Sequence, residues 1–360
     1  MAAAYLNAGV NVDAANSVKA GFAELLEKKG VTLSRKNAFA AIVDPGFSRF
    51  KDPVLVLKSE EPGSKQLLAF ENDRVESVCF DMINHLVNDC VCCGAEPVAI
   101  QDVIICGTFE AEIVKRIVRA ISDAAKQQGC FLSGGETSEQ PGVLPKSRYV
   151  LSSSIVGIVE RERIVDGKSI AEGDVIVGLE SSGLHTNGYS LVRLVLADNP
   201  GLLATEVNGR PALDVLLDVH RPYYPVLKPL FEMRAIKGAA HITGGGIAEN
   251  LNRILPNNVD AAVYLERYRP AAIFSLLREA GSVSDADMLR TFNLGVGMAL
   301  VVSSGELDGT LKILERSGCP AFEIGSIVPG SGRVRLRGNI GWRQTHSHWT
   351  PWSWSSSFMM

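Results

Sequence analysis

The sequence predicts an α/β protein that is divided into two domains of similar length. The chain has 360 residues, which is enough for two domains of ordinary size. Hydrophobic residues make up 46% of the chain, so each domain can bury a core of its own. Short apolar runs alternate with amphipathic stretches in both halves, as expected where strands alternate with helices.

The N-terminal half contains apolar runs that predict strands and amphipathic stretches that predict helices. Asp13 can cap the first helix, which ends at Gly30. The apolar run that begins at Pro53 predicts the first strand. The other predicted elements are helices at 74–94 and 110–128 and strands at 97–105 and 148–159.

The C-terminal half repeats this alternation after polar turns at 166–168 and 172–174. Predicted strands lie at 175–179, 259–265 and 296–302, and predicted helices begin near 187 and lie at 223–233, 247–255, 271–280 and 306–316. All four tryptophans follow position 341, in a Ser-rich segment without a helical or strand period. We therefore predict domains at 1–168 and 169–337 and a disordered tail at 338–360.

Charge and composition exclude several classes of protein. The formal net charge is -4 and the charges are mixed in sign, so no basic surface for nucleic acid is expected. No apolar run approaches the roughly 18 residues that a membrane span requires. Residues 1–15 lack the pattern of a signal peptide. The seven cysteines are scattered and odd in number, which favours a reducing, cytoplasmic location.

Three cysteines, Cys90, Cys92 and Cys93, lie close to His85 and Asp89, which raises the question of a zinc site. Their spacing matches no common zinc motif. They also lie in the apolar pattern of the second predicted helix. We therefore interpret these cysteines as small buried apolar groups.

The segment at 133–142, with the sequence SGGETSEQPG, combines two carboxylates with a glycine pair and a Pro-Gly stop. It follows the apolar run Cys130-Phe131-Leu132, so we expect a strand that ends in an open loop. Carboxylate oxygens suit Mg²⁺, and glycine lets the backbone approach phosphate groups. The alternative is a surface turn after a strand.

Four further segments place polar or glycine residues at junctions between predicted elements. They are Asn88-Asp89, the segment at 183–190 (GLHTNGYS), the segment at 243–246 (TGGG) and the segment at 291–297 (TFNLGVG). Each has a purely structural alternative, such as a helix cap, a tight turn or a loop. Together they predict a site for a nucleotide and a phosphorylated substrate.

In order and spacing, these segments resemble the aminoimidazole ribonucleotide synthetase family, which are the phosphoribosylformylglycinamidine cyclo-ligases. The resemblance extends from Tyr5 to about Arg337. The matching residues are YLNAGVNVDAAN (5–16), Asp81, NDCVCCGAEP (88–97), Asp102, GCFLSGGETSEQPG (129–142), GLHTNGYSLVR (183–193), HITGGG (241–246) and RTFNLGVGM (290–298).

The resemblance implies two α/β domains with mixed sheets, and a homodimer in which N-terminal strands of both subunits form a shared barrel. It implies that the N-terminal domain binds ATP with Mg²⁺ and takes part in the dimer. ATP would phosphorylate the amide oxygen of formylglycinamidine ribonucleotide, and a substrate nitrogen would then close the imidazole ring. The phosphate is needed because an amide oxygen is a poor leaving group.

The resemblance also implies roles for individual residues. The catalytic residues would be Asp89, Glu136 and His185, and Mg²⁺ would be held by Asp89, Glu136 and Glu60. The ATP-binding residues would be Glu60, Gly63, Lys65, Asp102, Gly134, Gly135 and Thr137, with Lys65 on the phosphates. The substrate-binding residues would be Asn187, Gly188, Thr243, Gly244, Gly245 and Gly246.

Two segments depart from the family pattern. The segment at 59–65 (SEEPGSK) replaces an Asp-Gly-Val-Gly-Thr-Lys loop, and the segment at 35–40 (RKNAFA) replaces a glycine-rich loop. Glu60 would stand in for the aspartate, whereas Glu61 and Pro62 make the loop stiffer and more negative. Two alternatives therefore stay open: a kinase-like, ATP-using enzyme that acts on another substrate, and a catalytically silent homologue that serves as a binding or regulatory subunit.

Overall fold

The computed structural model of the chain describes residues 39–342, together with positions 21, 22, 26 and 31–34. The predicted helix that ends at Gly30 lies almost entirely outside these residues, as do the segment at 35–38 and the tail beyond 342. The described residues form two mixed sheets, a short hairpin and the helices that pack on the sheets. The α/β fold class predicted from the sequence is confirmed.

Within residues 39–342, four strands form the first sheet: β1 (Pro53–Glu60), β2 (Glu96–Cys106), β3 (Phe131–Glu139) and β4 (Tyr149–Glu160). Their order across the sheet is β1-β4-β2-β3. β2 and β3 are parallel, whereas β4 is antiparallel to both β1 and β2. The sheet is therefore mixed, and β1 and β3 form its edges.

Helices cover one face of the first sheet: α1 (Lys65–Glu71), α2 (Val75–Val91) and α3 (Ala111–Gln127). α2 packs against β1, β4 and α3. Its residues Val78, Met82 and Leu86 recur at helical spacing and are fully buried. On β2, Ile100 and Ile104 point to the same face of the sheet and are also fully buried. These two periods place the core of the first half between the sheet and its helices.

Among the described residues, the opposite face of the first sheet keeps several apolar side chains exposed. Leu55, Leu57, Val103 and Val150 are 49%, 72%, 38% and 39% exposed. The residues that alternate with them point towards the helices, so these strands carry apolar side chains on both faces. The structure describes one chain, so the shared barrel stays a prediction.

The C-terminal half contains a second, larger sheet. Its strands are β5 (Val175–Glu180), β8 (Ile236–His241), β9 (Val259–Tyr264), β10 (Val296–Val302), β11 (Ala321–Pro329) and β12 (Val334–Arg337), and a separate hairpin consists of β6 (Glu206–Val207) and β7 (Arg210–Pro211). The order is β12-β9-β11-β5-β10-β8, and only the β12–β9 pair among these strands is parallel. Every residue of β10 is buried, which is typical of a strand covered on both faces.

Helices connect these strands. Those that the structure describes are α4 (Tyr189–Asp198), α5 (Ala212–Leu216), α6 (Tyr224–Glu232), α7 (Gly246–Asn252), α8 (Ala272–Ala280), α9 (Asp285–Thr291) and α10 (Leu307–Arg316). The sequence pattern did not predict α9, although Ser284 caps it by accepting the N–H of Asp287. Among the described helices, none has both the length and the hydrophobicity needed to cross a membrane.

The predicted open loop after Leu132 is wrong, because β3 continues through Glu139 and the turn begins only after it. The neighbouring strand β2 supplies ladder partners along this whole length. Gly135 lies opposite Asp102, and a Cβ atom added to Gly135 would come within 1.9 Å of Asp102 Oδ1. Glycine is therefore needed here to leave room for a side chain of the next strand.

Candidate active site

The segment at 183–190 connects β5 to α4 and lies at the centre of the candidate site. Asn293 Nδ2 donates to the carbonyl oxygen of Gly183 over 2.9 Å. A Cβ atom added to Gly244 would lie 3.6 Å from Asn187 Oδ1. The structure therefore brings together the three predicted segments that contain HTNG, TGGG and TFNLGVG.

The backbone of this segment adopts left-handed conformations at two positions. His185 has a φ of 62°, and Gly188, which caps α4, has a φ of 80°. The second is usual for glycine, but a histidine in this region is strained. Strain of this kind collects at functional sites, where the surrounding structure holds it in place.

Lys65 joins the segment at 183–190 to the first domain. Its Nζ is completely buried, lies 2.7 Å from Asp81 Oδ2, and donates to the carbonyl oxygens of His185 (3.0 Å) and Asp218 (2.8 Å). The ammonium group therefore makes two hydrogen bonds to carbonyl oxygens and one close ion pair. Burial raises the pKa of Asp81 to about 6, although the charge of Lys65 opposes this shift. The contact of Lys65 with phosphates stays a prediction. Binding a phosphate would require Nζ to give up one of these contacts.

The loop after β1 presents carboxylates next to its backbone amides. Glu61 Oε2 accepts the N–H of Gly63 over 2.7 Å, and Glu60 Oε1 accepts the N–H of Glu61 over 3.1 Å. The amide of Gly63, which was predicted to meet ATP, is therefore already bonded to its own loop. The carboxylates that make this loop negative thus accept hydrogen bonds from the same backbone amides that a phosphate would use.

Four histidines meet beside this loop, and they are all of the histidines in the described residues: His85, His185, His220 and His241. The ring centroid of His220 lies 3.8 Å from the ring centroid of His185, 5.4 Å from that of His85 and 5.0 Å from that of His241. The rings of His185 and His220 are stacked, with 19° between their planes. We call these four residues the histidine cluster.

A chain of hydrogen bonds runs through the histidine cluster. Asp89 Oδ1 accepts from His241 Nδ1 over 2.7 Å, and the Nε2 atoms of His241 and His220 are 2.9 Å apart. Thr186 Oγ1 lies 3.5 Å from His220 Nδ1 and 2.8 Å from His85 Nδ1. The chain therefore connects the end of β8 to two points on α2.

Asp89 is held by positive groups at the end of α2. Its Oδ2 lies 2.9 Å from Lys58 Nζ, which is also 3.0 Å from Glu60 Oε2, so one ammonium bridges two carboxylates. Burial alone raises the pKa of Asp89, but the hydrogen bond from His241 and the nearby positive charges outweigh burial and lower this pKa. Asp89 is therefore ionised throughout the neutral pH range.

Three imidazoles of the histidine cluster, those of His85, His185 and His220, are neutral at pH 7. Burial lowers the pKa of His85 to about 4, and the charge of His241 acts in the same direction. Burial also lowers the pKa of His185 and of His220 well below the ordinary value. A neutral imidazole has one N–H donor and one lone pair, so a ring whose lone pair is not already used can serve as a base or as a metal ligand.

Two groups of side chains among the described residues bring potential metal ligands within 4.8 Å of one another. One is His185, His220 and His241, and the other is His85, Asp89 and His241. Neither contains a cysteine, and burial raises the pKa of the thiols of Cys90, Cys92 and Cys93. The three cysteines are buried or half-buried, as interpreted from the sequence.

The structure separates Glu136 from the other predicted metal ligands. Glu136 lies opposite Val103 in the β2–β3 ladder, so its side chain projects from the open face of the sheet. Asp102, opposite Gly135, points to the helix-covered face and is 5% exposed. Burial raises the pKa of Asp102 to about 7, and the charge of Glu136 adds to this shift. The roles of Glu136 and Asp102 stay predictions, and so do those of Gly134 and Thr137 on the same strand.

The glycine-rich segment at 243–246 is held in place by one amide side chain. Asn250 Nδ2 lies within hydrogen-bond distance of the carbonyl oxygens of Thr243, Gly244 and Gly246, at 3.3, 3.1 and 2.9 Å. Gly245, between them, has a φ of 90° and precedes α7. This arrangement sets the shape of the loop that faces Asn187.

Sequence reasoning missed His220 and Lys58, which carry much of the geometry of the site. Neither belongs to a recognisable motif, and His220 precedes α6 in a stretch that contains no glycine. His241 was noted only as the first letter of HITGGG. The rarity of histidine was the one signal in the sequence, since the chain has six histidines and two of them lie in the tail.

Two family profiles cover most of the chain. The profile "AIR synthase related protein, N-terminal domain" matches residues 42–159, and "AIR synthase related protein, C-terminal domain" matches residues 171–337. A solved thiamine-monophosphate kinase from Stenotrophomonas maltophilia K279a shares the fold, with 18% identity, a TM-score of 0.66, and coverage of 91% of this chain and 96% of that one. Hydrogenase maturation protein HypE in complex with ATP aligns with a TM-score of 0.59 and 20% identity, over 83% of this chain and 84% of that one. The fold and site thus define an AIR synthase related protein.

Sequence relatives narrow this class to one family. A phosphoribosylformylglycinamidine cyclo-ligase from Bacillus mycoides (strain KBAB4) is 37% identical over 347 residues, which covers 94% of this chain and 99% of the relative. Another, from Caldanaerobacter subterraneus subsp. tengcongensis, is 39% identical over 338 residues, which covers 92% and 99%. The chain belongs to the phosphoribosylformylglycinamidine cyclo-ligase family, as its motifs predicted.

Proposed function

We propose that the protein uses ATP to convert formylglycinamidine ribonucleotide to aminoimidazole ribonucleotide in de novo purine biosynthesis. The observation that carries this proposal is 37% and 39% identity to cyclo-ligases over more than nine-tenths of the chain. The meeting of the HTNG, TGGG and TFNLGVG segments beside Asp89 and the histidine cluster supports it.

The chemistry requires an amide oxygen to leave. ATP transfers its terminal phosphoryl group to that oxygen, a substrate nitrogen attacks the amide carbon, and phosphate departs with the oxygen as the ring closes. The attacking nitrogen loses a proton in this process. The protein's contribution is to position the two reactants and to neutralise phosphate charge.

Glu60 and Asp89 fit the Mg²⁺ ion that this reaction implies. Their carboxylates approach a single ammonium group at 3.0 and 2.9 Å, so the space between them already favours a cation. The ion, when bound, shields the negative charge of phosphate oxygens. Glu136 would take part only where the open face of the first sheet contributes to the nucleotide site.

Asn187 and the histidine cluster are placed to handle the substrate. Asn187 Nδ2 is buried without a hydrogen-bond partner among the described residues, so it can donate to an oxygen of the ribonucleotide. The facing loop at 243–246 would approach the 5′-phosphate, as the resemblance implies. His185, which is neutral and adjoins Asn187, keeps its proposed catalytic role by orienting the substrate, because its Nε2 accepts the backbone N–H of Ser182 and its Nδ1 is left to donate.

A homodimer and a cytoplasmic location complete the proposal. The open face of the first sheet exposes Leu55, Leu57, Val103 and Val150, and pairing with a second copy would bury them. The sheet edges at β1 and β3 would also gain partners in a shared barrel.

A direct assay tests the proposed reaction. The full chain is incubated with ATP, Mg²⁺ and formylglycinamidine ribonucleotide, and ADP and aminoimidazole ribonucleotide are measured together. We expect equal amounts of both products. ADP without ring closure would instead indicate an ATP-using enzyme with another substrate, and no binding of nucleotide by calorimetry would indicate a silent homologue.

The variant Asp89→Asn tests the site within that assay. It removes the charge but preserves the shape, so kcat is expected to fall about 100-fold or more, as when one preorganised charge-stabilising group is removed. The thermal unfolding midpoint serves as the control for folding. Wild-type kcat in this variant would reject Asp89 as part of the catalytic machinery.

A further inference from the structure

Two lysines lie beside the proposed nucleotide site, and their ammonium groups differ in how fully they are used. Lys65 Nζ is completely buried and has three close partners, which are Asp81 and two carbonyl oxygens. Lys58 Nζ lies 2.9 Å from Asp89 Oδ2 and 3.0 Å from Glu60 Oε2, and its side chain is 35% exposed. Among the described residues, these two carboxylates are its only partners. An ammonium group has three donors, so one donor of Lys58 is left for a ligand.

The strand β1 fixes Lys58 next to one of its two carboxylates. Lys58 and Glu60 are two residues apart, so their side chains project to the same, helix-covered side of the sheet. Asp89 reaches the same point from the last turn of α2. All three side chains are partly exposed, so a ligand can reach Nζ without opening the core.

The loop after β1 offers few other donors to a phosphate group. The N–H groups of Glu61 and Gly63 are already bonded to carboxylates of the loop itself. Lys65 would have to give up a buried contact before it could meet a ligand. Lys58 therefore has what these groups lack, which is a positive charge with a donor that remains available.

We propose that Lys58 supplies the phosphate contact that the family resemblance assigns to Lys65. Its third donor binds an oxygen of a nucleotide phosphate, while Asp89 and Glu60 hold the ammonium group in position. Lysine commonly binds phosphate in this way, as a point charge. The inference rests on the proposed function in taking ATP as the ligand beside this pair of carboxylates. It changes the residue that makes the contact.

The same ammonium group keeps a free metal ion away from the two carboxylates. An ion that enters between Asp89 and Glu60 has to displace Nζ, which would then lose both of its partners. A phosphate group beside the pair gives the displaced ammonium a new partner, whereas a metal ion alone does not. Removing the charge of Lys58 should therefore strengthen the binding of a metal ion alone and weaken the binding of nucleotide.

The variant Lys58→Met of the full chain tests both effects, since it removes the charge and keeps most of the apolar stem. Calorimetry with the β,γ-imido analogue of ATP and Mg²⁺ measures nucleotide affinity. Electron paramagnetic resonance with Mn²⁺ alone measures metal affinity. Lys58→Met should lose about tenfold or more in nucleotide affinity, as when one charge-assisted hydrogen bond is lost, and should bind Mn²⁺ more tightly than wild type. Damage to the fold would instead lower both affinities.

Three further variants locate the effect. Lys58→Arg keeps the charge and should retain most of the nucleotide affinity. Lys58→Met/Asp89→Asn should lose the Mn²⁺ binding that Lys58→Met gains. Lys115→Met is the matched control, because Lys115 Nζ also pairs with a carboxylate, Glu112 at 2.8 Å, but lies on α3. It should match wild type in both measurements.

Wild-type nucleotide affinity in Lys58→Met would overturn the proposal. So would wild type that binds Mn²⁺ alone as tightly as this variant does. Because neither measurement contains the ribonucleotide, the results are separate from the assay of ring closure. Ring closure with no effect of Lys58→Met would reject this inference and leave the proposed function standing. The expected effects of Lys58→Met without ring closure would support this inference and reject the proposed reaction.

Discussion

Asp102 shows how burial sets the chemistry of a single residue in this protein. Its carboxyl group is 5% exposed, lies on the helix-covered face of the first sheet and fits above Gly135. Burial raises its pKa from 3.8 to about 7, so folding favours the neutral acid. The contribution of Asp102 to stability is therefore complete below its unfolded pKa and is lost as the pH rises through about 7.

The variant Asp102→Asn tests this pKa shift. It keeps the shape of the side chain and removes its titration, so the wild type should lose about 2–4 kcal/mol of unfolding free energy relative to the variant between pH 4 and pH 8. Chemical denaturation of both proteins across this range measures the difference. If the unfolding free energies of the two proteins changed in parallel with pH, the pKa of Asp102 would not be raised by folding.

The candidate site was predictable residue by residue only where a motif contained the residue. HTNG, TGGG and Asn88-Asp89 were found in the sequence, and the structure places all three around the histidine cluster. Glu136 was found in the most distinctive motif, yet the strand period turns its side chain to the other face of the sheet from Asp102. Lys58 and His220 were missed, because each depends on a long-range contact that leaves no local pattern.

At the scale of elements, β3 is the clearest difference between expectation and structure. A glycine pair and a Pro-Gly stop predicted a loop, but pairing with β2 continues the strand through Glu139. Local propensity favours a loop in a glycine-rich stretch, whereas ladder hydrogen bonds to a parallel neighbour favour a strand. Pairing with β2 outweighs the loop propensity of this stretch, since Gly135 leaves room for the side chain of Asp102.

Substitutions at two glycines of β3 test whether the close approach of Asp102 to the backbone requires glycine. Gly135 lies against Asp102, whereas Gly134 has space around it. A Cβ atom at Gly135 would lie 1.9 Å from Asp102 Oδ1, whereas at Gly134 the nearest atom, Gln101 Nε2, would be 4.0 Å away. Gly135→Ala should therefore lower the unfolding free energy by about 1–3 kcal/mol. Gly134→Ala is the matched control, expected to be neutral or slightly stabilising in urea denaturation. Equal effects at both positions would contradict this account of β3.

At the scale of the whole molecule, helices cover one face of the first sheet, whereas the other face exposes apolar side chains among residues 39–342. Three of its strands, β1, β2 and β4, carry apolar side chains on both faces, which is typical of strands that are covered on both sides. The charged and polar residues of the candidate site lie on the helix-covered side, at the contact with the second half of the chain. The open face is therefore available for a second copy without obstructing that contact.

Introducing charged side chains on the apolar open face tests the homodimer. Leu55→Lys/Leu57→Lys places two charges where residues are 49% and 72% exposed in the single chain. We expect a dimer for wild type and a monomer for this variant in sedimentation velocity, because buried unpaired charges are costly. Leu194→Lys, at a position that is 61% exposed on α4, is the matched control and should remain dimeric. A monomeric wild type would reject the shared barrel.

The sequence by itself determined the fold class, the periods of most strands and helices, and the family. Those properties depend on the spacing of apolar residues and on short motifs, both of which are local. The tertiary structure alone decided that His85, Thr186, His220 and His241 form one chain of hydrogen bonds with Asp89, since these residues come from α2, the segment at 183–190, the segment before α6 and the end of β8. Side chains so far apart in the chain meet only when both domains have packed, and no local period records which ends of the elements will touch.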